Sequence, residues 1–150
     1  MTSTNVLELG RAIKQLQNLN HRRLESGLRA IDTTLAQWDA LRAIDANGGA
    51  SAHALAEETF QTDQAFGTLA TRLIAKGLVL RQPGVGRALV HSLTRKGRSV
   101  LEQGQVIAAR ANEEAYADLA ESERAQLLRL VRKAMPGESM PAVTRALPSQ

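Results

Sequence analysis

Apolar residues recur every three to four positions along most of this 150-residue chain, and the pattern changes to alternation once, between residues 78 and 93. A spacing of three to four places apolar side chains on one face of an α-helix, whereas alternation is typical of a strand. Aromatic residues make up only 3% of the chain. The core therefore has to be built from Leu, Val, Ile and Ala, and we predict a mainly α-helical fold with one small β-hairpin.

The predicted element order is four helices, the hairpin and two further helices. Thr34, Ser51, Thr62 and Thr94 are predicted N-caps, because their side-chain oxygens can accept hydrogen bonds from amides of the first helical turn. Thr34 and Gln37 also have the spacing of a capping box. The helices are predicted over residues 5–29, 34–46, 51–59, 62–75, 95–117 and 121–134, and the strands over 78–81 and 88–93.

The positive charge of the chain is concentrated in its middle third. The chain has a net charge of +4, and residues 51–101 alone contain seven basic and three acidic side chains. A basic segment between two nearly neutral ones indicates a surface that faces a polyanion. An ordinary solvated surface remains the alternative, because an excess of four charges is small.

Several classes of protein are excluded by what the sequence lacks. It has no cysteine, so disulfides, thiolate metal sites and thiol switches are excluded. The three histidines, at positions 21, 53 and 91, have no metal-ligand spacing, and no catalytic or cofactor-binding motif is present. With no apolar run long enough for a membrane span and no signal-like N-terminus, we expect a cytoplasmic protein that is not an enzyme and needs no cofactor.

Two short helices, a few connecting residues and a hairpin form the layout of a winged helix-turn-helix. In that layout the second short helix, here 62–75, enters the major groove of DNA, and the hairpin, or wing, lies against the neighbouring backbone. The basic residues follow the same distribution, since Arg72 is on that helix and Arg81 and Arg87 are on the hairpin.

Four stretches of the sequence resemble the MarR family of transcriptional regulators. Residues 35–42, Leu-Ala-Gln-Trp-Asp-Ala-Leu-Arg, resemble its second helix, and residues 55–57 with 72–79 resemble its helix-turn-helix. Residues 87–97, from Arg-Ala-Leu-Val through Leu-Thr to Gly, resemble its wing strand and the start of the next helix. The joint spacing of these stretches carries the resemblance.

The resemblance implies a homodimer that binds double-stranded DNA at a pseudo-palindromic operator and acts as a repressor. It implies a helical dimerisation region at 1–30 and 95–136 and a winged helix-turn-helix at 34–94. It also implies an aromatic or anionic small molecule that binds between these regions and lowers DNA affinity. The residues themselves predict a mobile C-terminal tail at 137–150, which contains Pro141 and Pro148 and has no sustained periodicity. Two alternatives stay open, which are a protein-interaction module with weak DNA binding and a DNA-binding regulator without an effector.

The expected DNA contacts lie on one face of helix 62–75 and on the wing. Gln64 can pair with adenine, and threonines can reach phosphates or thymine methyls. The alternatives are that Thr62 serves only as a helix cap and that Arg72 is only part of a surface ion pair. Where Asp63 and Thr68 stand, the family commonly has arginine, and where Phe60 stands it usually has glycine. The predicted contact residues are Thr62, Gln64, Ala65, Thr68, Thr71, Arg72 and Arg87.

For the effector, Trp38 and His21 are the candidate pocket residues. The alternative for Trp38 is a place in the hydrophobic core, and the alternative for His21 is a solvated side chain beside Arg22 and Arg23. No metal ligand is predicted.

Overall fold

The computed structural model describes residues 4–86 and 88–137, and it confirms the mainly helical fold with a small hairpin wing. Part of the predicted tail, residues 138–150, lies outside the described residues. The helices are α1 (Val6–Leu28), α2 (Leu35–Ala46), α3 (Ala52–Glu58), α4 (Asp63–Ala75), α5 (Arg95–Ala115) and α6 (Glu121–Ala134). A short 3-10 helix (Arg29–Ile31) follows α1, and the strands are β1 (Val79–Pro83) and β2 (Leu89–Leu93).

The hairpin is longer at its tip than the sequence predicts. Gln82 pairs with Val90 and Pro83 with Leu89, so the predicted turn at 82–86 contributes two residues to β1. Proline is tolerated there because it ends an edge strand, where its missing N–H costs no ladder hydrogen bond. The turn is consequently shorter and the wing reaches further.

The predicted N-caps are confirmed, with one correction. Thr34 Oγ1 accepts a hydrogen bond from Gln37 N at 3.1 Å. The Gln37 side chain does not reach back to complete the capping box, because its Oε1 accepts from Lys76 Nζ of the α4 C-terminus at 3.2 Å. The amide of Leu35, the first residue of α2, donates to Glu25 Oε2 of α1 at 2.8 Å. The Gln37 side chain thus has a tertiary partner in place of the local one that the capping box predicts.

The core lies between α2, α3, α4, the hairpin and α5, and it contains Leu41, Leu55, Phe66, Leu73 and Leu78 at 2% exposure or less. Most of it is aliphatic, as the scarcity of aromatic residues predicts. None of the described helices combines the length and the apolar character that crossing a bilayer requires.

The chain divides into two units, Met1–Ala115 and Tyr116–Gln150, and α6 belongs to the second. The second unit begins with a turn in which Arg124 Nε donates to the carbonyls of Tyr116 and Leu119, both at 3.1 Å. Ala120 precedes α6, and its amide donates to Glu123 Oε2 at 2.8 Å. On α6 the side chains of Leu130, Val131 and Ala134 are exposed.

Candidate nucleic-acid interface

α3 and α4 form a helix-turn-helix whose two N-termini are both capped. Ser51 Oγ accepts from Ala54 N, and Thr62 Oγ1 accepts from Ala65 N, each at 3.1 Å. Between the helices, Gln61 N donates to the Ala56 carbonyl at 2.8 Å. The two caps satisfy amides that a helix leaves without partners at its first turn, and the bond from Gln61 satisfies a carbonyl at the end of α3. They fix the direction in which α4 leaves the turn.

Phe60 holds the left-handed backbone conformation of this turn, with φ at 54°. A residue with a Cβ pays roughly 1–2 kcal/mol for this conformation. Its side chain is 97% exposed, so no packing in the single chain offsets the cost. The turn therefore keeps a conformation suited to glycine, even though the sequence has phenylalanine there.

The face of α4 expected to meet DNA points away from the core. The side chains between its members, those of Phe66, Leu69 and Leu73, are buried against the other helices. The predicted contact residues on this face, all exposed, are Thr62, Gln64, Ala65, Thr68, Thr71 and Arg72. These residues lie on one exposed side of α4, as the helical period predicts. Their contacts with DNA stay a prediction.

The threonines of α4 divide into two chemical groups. Thr68 Oγ1 donates to the Gln64 carbonyl at 3.1 Å, and Thr71 Oγ1 donates to the Gly67 carbonyl at 3.0 Å. With their hydroxyl hydrogens used inside the helix, they have no hydrogen to donate to a phosphate, and their methyl groups suit contact with thymine methyls. Thr62 uses its oxygen as an acceptor, so its hydroxyl hydrogen is available to a phosphate.

Asp63 does not stand alone at the N-terminus of α4. His53 Nδ1 of α3 lies 2.8 Å from Asp63 Oδ1, and His53 Nε2 lies 3.4 Å from Glu57 Oε1. The hydrogen bond to Asp63, followed by the charges of both carboxylates, raises the pKa of His53. A protonated His53 neutralises part of the negative charge beside the expected DNA face. The i,i+4 spacing of His53 and Glu57 was the only sign of this cluster in the sequence.

The wing places an arginine opposite a buried histidine. Arg81 of β1 pairs with His91 of β2 across the hairpin, and Arg81 Nε donates to His91 Nε2 at 3.3 Å. Burial, and secondly the charge of Arg81, lower the pKa of His91. Arg87, the predicted wing contact, lies outside the described residues. Val85 at the tip is 97% exposed.

Part of the positive charge of residues 51–101 is used within the fold. Lys76 Nζ contacts the backbone oxygen of Asp32, and Lys96 Nζ donates to the Lys76 carbonyl at 3.1 Å. Arg98 Nη2 lies 2.8 Å from Asp45 Oδ1 of α2. Three other arginines of this segment are exposed and form no ion pair within residues 4–86 and 88–137: Arg72, Arg81 and Arg95.

Trp38 and His21 lie in different surroundings. Trp38 is 4% exposed, and its indole N–H donates to the Leu101 carbonyl of α5 at 3.2 Å. The Arg42 guanidinium covers the indole at 5.1 Å from the ring centroid. His21 is exposed on α1 and lines, with Asn18 and Arg22, a shallow depression open to solvent. Trp38 does not line this depression, and an effector pocket stays a prediction.

Comparison with known proteins identifies the helix-turn-helix and wing. Residues 31–88 match the family model described as MarR family. The reduced form of MarR from E. coli superposes with a TM-score of 0.79 at 27% identity, covering 85% of this chain and 96% of that one. The chain has the fold of MarR, and its residues 31–88 are similar to the MarR family. In this winged helix-turn-helix fold, α4 takes the place of the recognition helix and the β1–β2 hairpin takes the place of the wing.

Two further MarR structures match over a similar extent. A mutant MarR from E. coli complexed with operator DNA has a TM-score of 0.78 and 26% identity, covering 87% of this chain and 96% of that one. A MarR family protein of Mycobacterium tuberculosis, in complex with p-aminosalicylic acid, has a TM-score of 0.73 and 24% identity, covering 85% and 98%. A search of curated protein sequences finds no match.

Proposed function

We propose that this chain is a member of the MarR family and a homodimeric, cytoplasmic, sequence-specific DNA-binding repressor of transcription. The observation that carries the proposal is the outward face of α4, which presents Gln64 and two threonine methyl groups beside a capped helix N-terminus. Such a face can read base edges in a major groove, while the N-terminal amides and nearby arginines position the helix on phosphates. The E. coli MarR complex with operator DNA supports the same use of the fold.

Dimerisation is supported by apolar surface that a single chain leaves in water. On α1, Val6, Leu9 and Ile13 are 75%, 50% and 57% exposed. On α6, taken by itself, Leu130 and Val131 are 45% and 41% exposed. Stripes of this kind favour burial between copies. We assign 1–30 and 95–136 to dimerisation and 34–94 to DNA binding, so that two-fold symmetry sets two α4 helices on a pseudo-palindromic operator.

An aromatic or anionic small molecule is the proposed effector. The p-aminosalicylic acid complex of the Mycobacterium tuberculosis relative supports a ligand of this chemistry. Such a ligand lowers DNA affinity only if it binds better to the conformation that binds DNA less well. Thermal unfolding with p-aminosalicylate and salicylate tests this, because a ligand of the native state raises the melting temperature. No shift at millimolar ligand supports a regulator without this effector.

The test of DNA binding is selection from a random-sequence duplex pool, followed by titration of the selected duplex at increasing salt. We expect a pseudo-palindromic sequence to be enriched, and its affinity to fall steeply as salt rises. Gln64→Ala should relax the base preference at one position in each half-site, by about 1–3 kcal/mol. Gln105→Ala, the same change on an exposed position of α5, is the control and should select the wild-type sequence.

A protein-interaction module with weak DNA binding is the second candidate. It is favoured by the carboxylates of Glu57 and Asp63 beside α4 and by the use of Lys76, Lys96 and Arg98 inside the fold. Enrichment of no sequence, together with an affinity for DNA that does not change with salt, would support this candidate and overturn the repressor.

A further inference from the structure

His91 is a buried histidine in the wing whose presence the packing alone does not explain. It is 4% exposed, and its ring meets the Phe66 ring of α4 edge-on, with 6.1 Å between centroids and an interplanar angle of 83°. Because Nε2 accepts from Arg81, the neutral ring carries its hydrogen on Nδ1. That Nδ1 has no hydrogen-bond partner among the described residues. An apolar ring would fill this place without leaving a buried donor unpaired.

Arg81 is the only group that His91 contacts by a hydrogen bond in the described part of the chain. The two residues are a register pair, so their side chains leave the hairpin on the same face. Arg81 is exposed and has no carboxylate partner within residues 4–86 and 88–137. With Nε held, both Nη groups remain available, and this fork matches the oxygens of a phosphate.

We propose that Arg81 binds a DNA phosphate from the wing and that His91 is the residue that positions it. The inference rests on the proposed function and adds a contact to it. His91 joins Arg81 on one side and Phe66 on the other, so the wing arginine is oriented against the buried side of α4. Holding the guanidinium before DNA arrives reduces the freedom that is lost on binding. The wing then binds the DNA backbone at a fixed position relative to α4.

The experiment measures the affinity of the full-length protein, over a range of salt, for the duplex that the wild type selects from a random-sequence pool. We expect Arg81→Ala to weaken binding by about tenfold or more and to reduce the salt slope by about one for each subunit. Arg145→Ala, which removes an arginine from outside the regions assigned to DNA binding and to dimerisation, should change neither quantity.

The role of His91 is tested by a double-mutant cycle with Arg81. His91→Phe keeps a ring against Phe66 and removes the acceptor, so we expect it to weaken binding in the wild-type background and to have no effect when Arg81 is alanine. His91→Gln retains an acceptor and should restore most of the affinity. If His91→Phe does not fold, as judged by denaturant unfolding, His91→Leu takes its place in the cycle.

Three outcomes would overturn the inference. Equal weakening by His91→Phe in both backgrounds means that His91 acts through the fold and not through Arg81. Unchanged affinity and salt slope for Arg81→Ala remove the phosphate contact, while the proposed function stands because the wild type still selects its duplex. A wild type that selects no sequence and binds DNA without salt dependence overturns the proposed function, and this contact with it.

Discussion

Two glycines in helix interiors should respond to the same substitution with opposite signs. Gly67 of α4 has no atom within 4 Å of the place that a Cβ would take, whereas a Cβ on Gly104 of α5 would overlap the indole of Trp38. Gly67→Ala should therefore raise the free energy of unfolding by about 1 kcal/mol, since alanine is the better helix former. Gly104→Ala gains the same amount from helix propensity and loses more from the overlap.

The loss at Gly104 has two parts. Forcing an extra carbon into a packed core costs about 1–3 kcal/mol. Moving the indole breaks its hydrogen bond to the Leu101 carbonyl and leaves a buried donor unpaired, at about 1–3 kcal/mol more. After the gain in helix propensity is subtracted, Gly104→Ala should be about 1–5 kcal/mol less stable than the wild type.

Urea unfolding of both variants at one protein concentration is the assay, because the stability of a dimer depends on its concentration. Trp38 is the only tryptophan in the chain, so its fluorescence reports on the contact that the substitution disturbs. A Gly104→Ala protein as stable as the wild type, or a shift of both variants in the same direction, would refute the close approach of α2 and α5.

Three further predictions concern the helix-turn-helix. Phe60→Gly should raise the free energy of unfolding by about 1 kcal/mol, and with it the urea midpoint, because glycine adopts the left-handed backbone conformation without the steric cost of a Cβ. An unchanged or lower midpoint would contradict this. Thr62→Ala should lose about 1 kcal/mol by removing the cap of α4, and Thr62→Ser should not. His53 has a raised pKa, so its contribution to stability is fully present below its ordinary pKa of 6.5 and is lost as pH rises through the raised value. His53→Gln should flatten the stability profile in that window, and superimposable profiles would show that the Asp63 contact is without effect.

The parts of the fold that depend on neighbours along the chain were readable from the sequence. The caps at Ser51 and Thr62, and the buried side of α4, follow from residues at most four positions apart. Gln37 shows where such reasoning ends, because its partner Lys76 is 39 positions away. A local rule cannot anticipate a bond that exists only once α2 and α4 have packed together.

The candidate site shows the same division. The outward face of α4 follows from helical periodicity, whereas the pairing of His53 with Asp63 depends on the angle between α3 and α4. The contact of Arg81 with His91 depends on the hairpin register. The sequence predicts only that the turn begins at Gln82, and this does not fix which residues of the two strands pair. Trp38 fits into the core because Gly104 of α5 has no Cβ to occupy the place of its indole, and the sequence around Trp38 does not indicate this contact.

The contact of Trp38 with α5 also has a mechanical consequence. The indole is joined to a carbonyl of α5 and fits against Gly104 without room for a Cβ, so α2 and α5 cannot slide past each other without breaking a buried bond. We therefore expect the two helices to move as one unit, so that a tilt of α5 carries α2 with it. The bending that accompanies such a tilt is expected in the connections that flank α2, at residues 32–34 and 47–51.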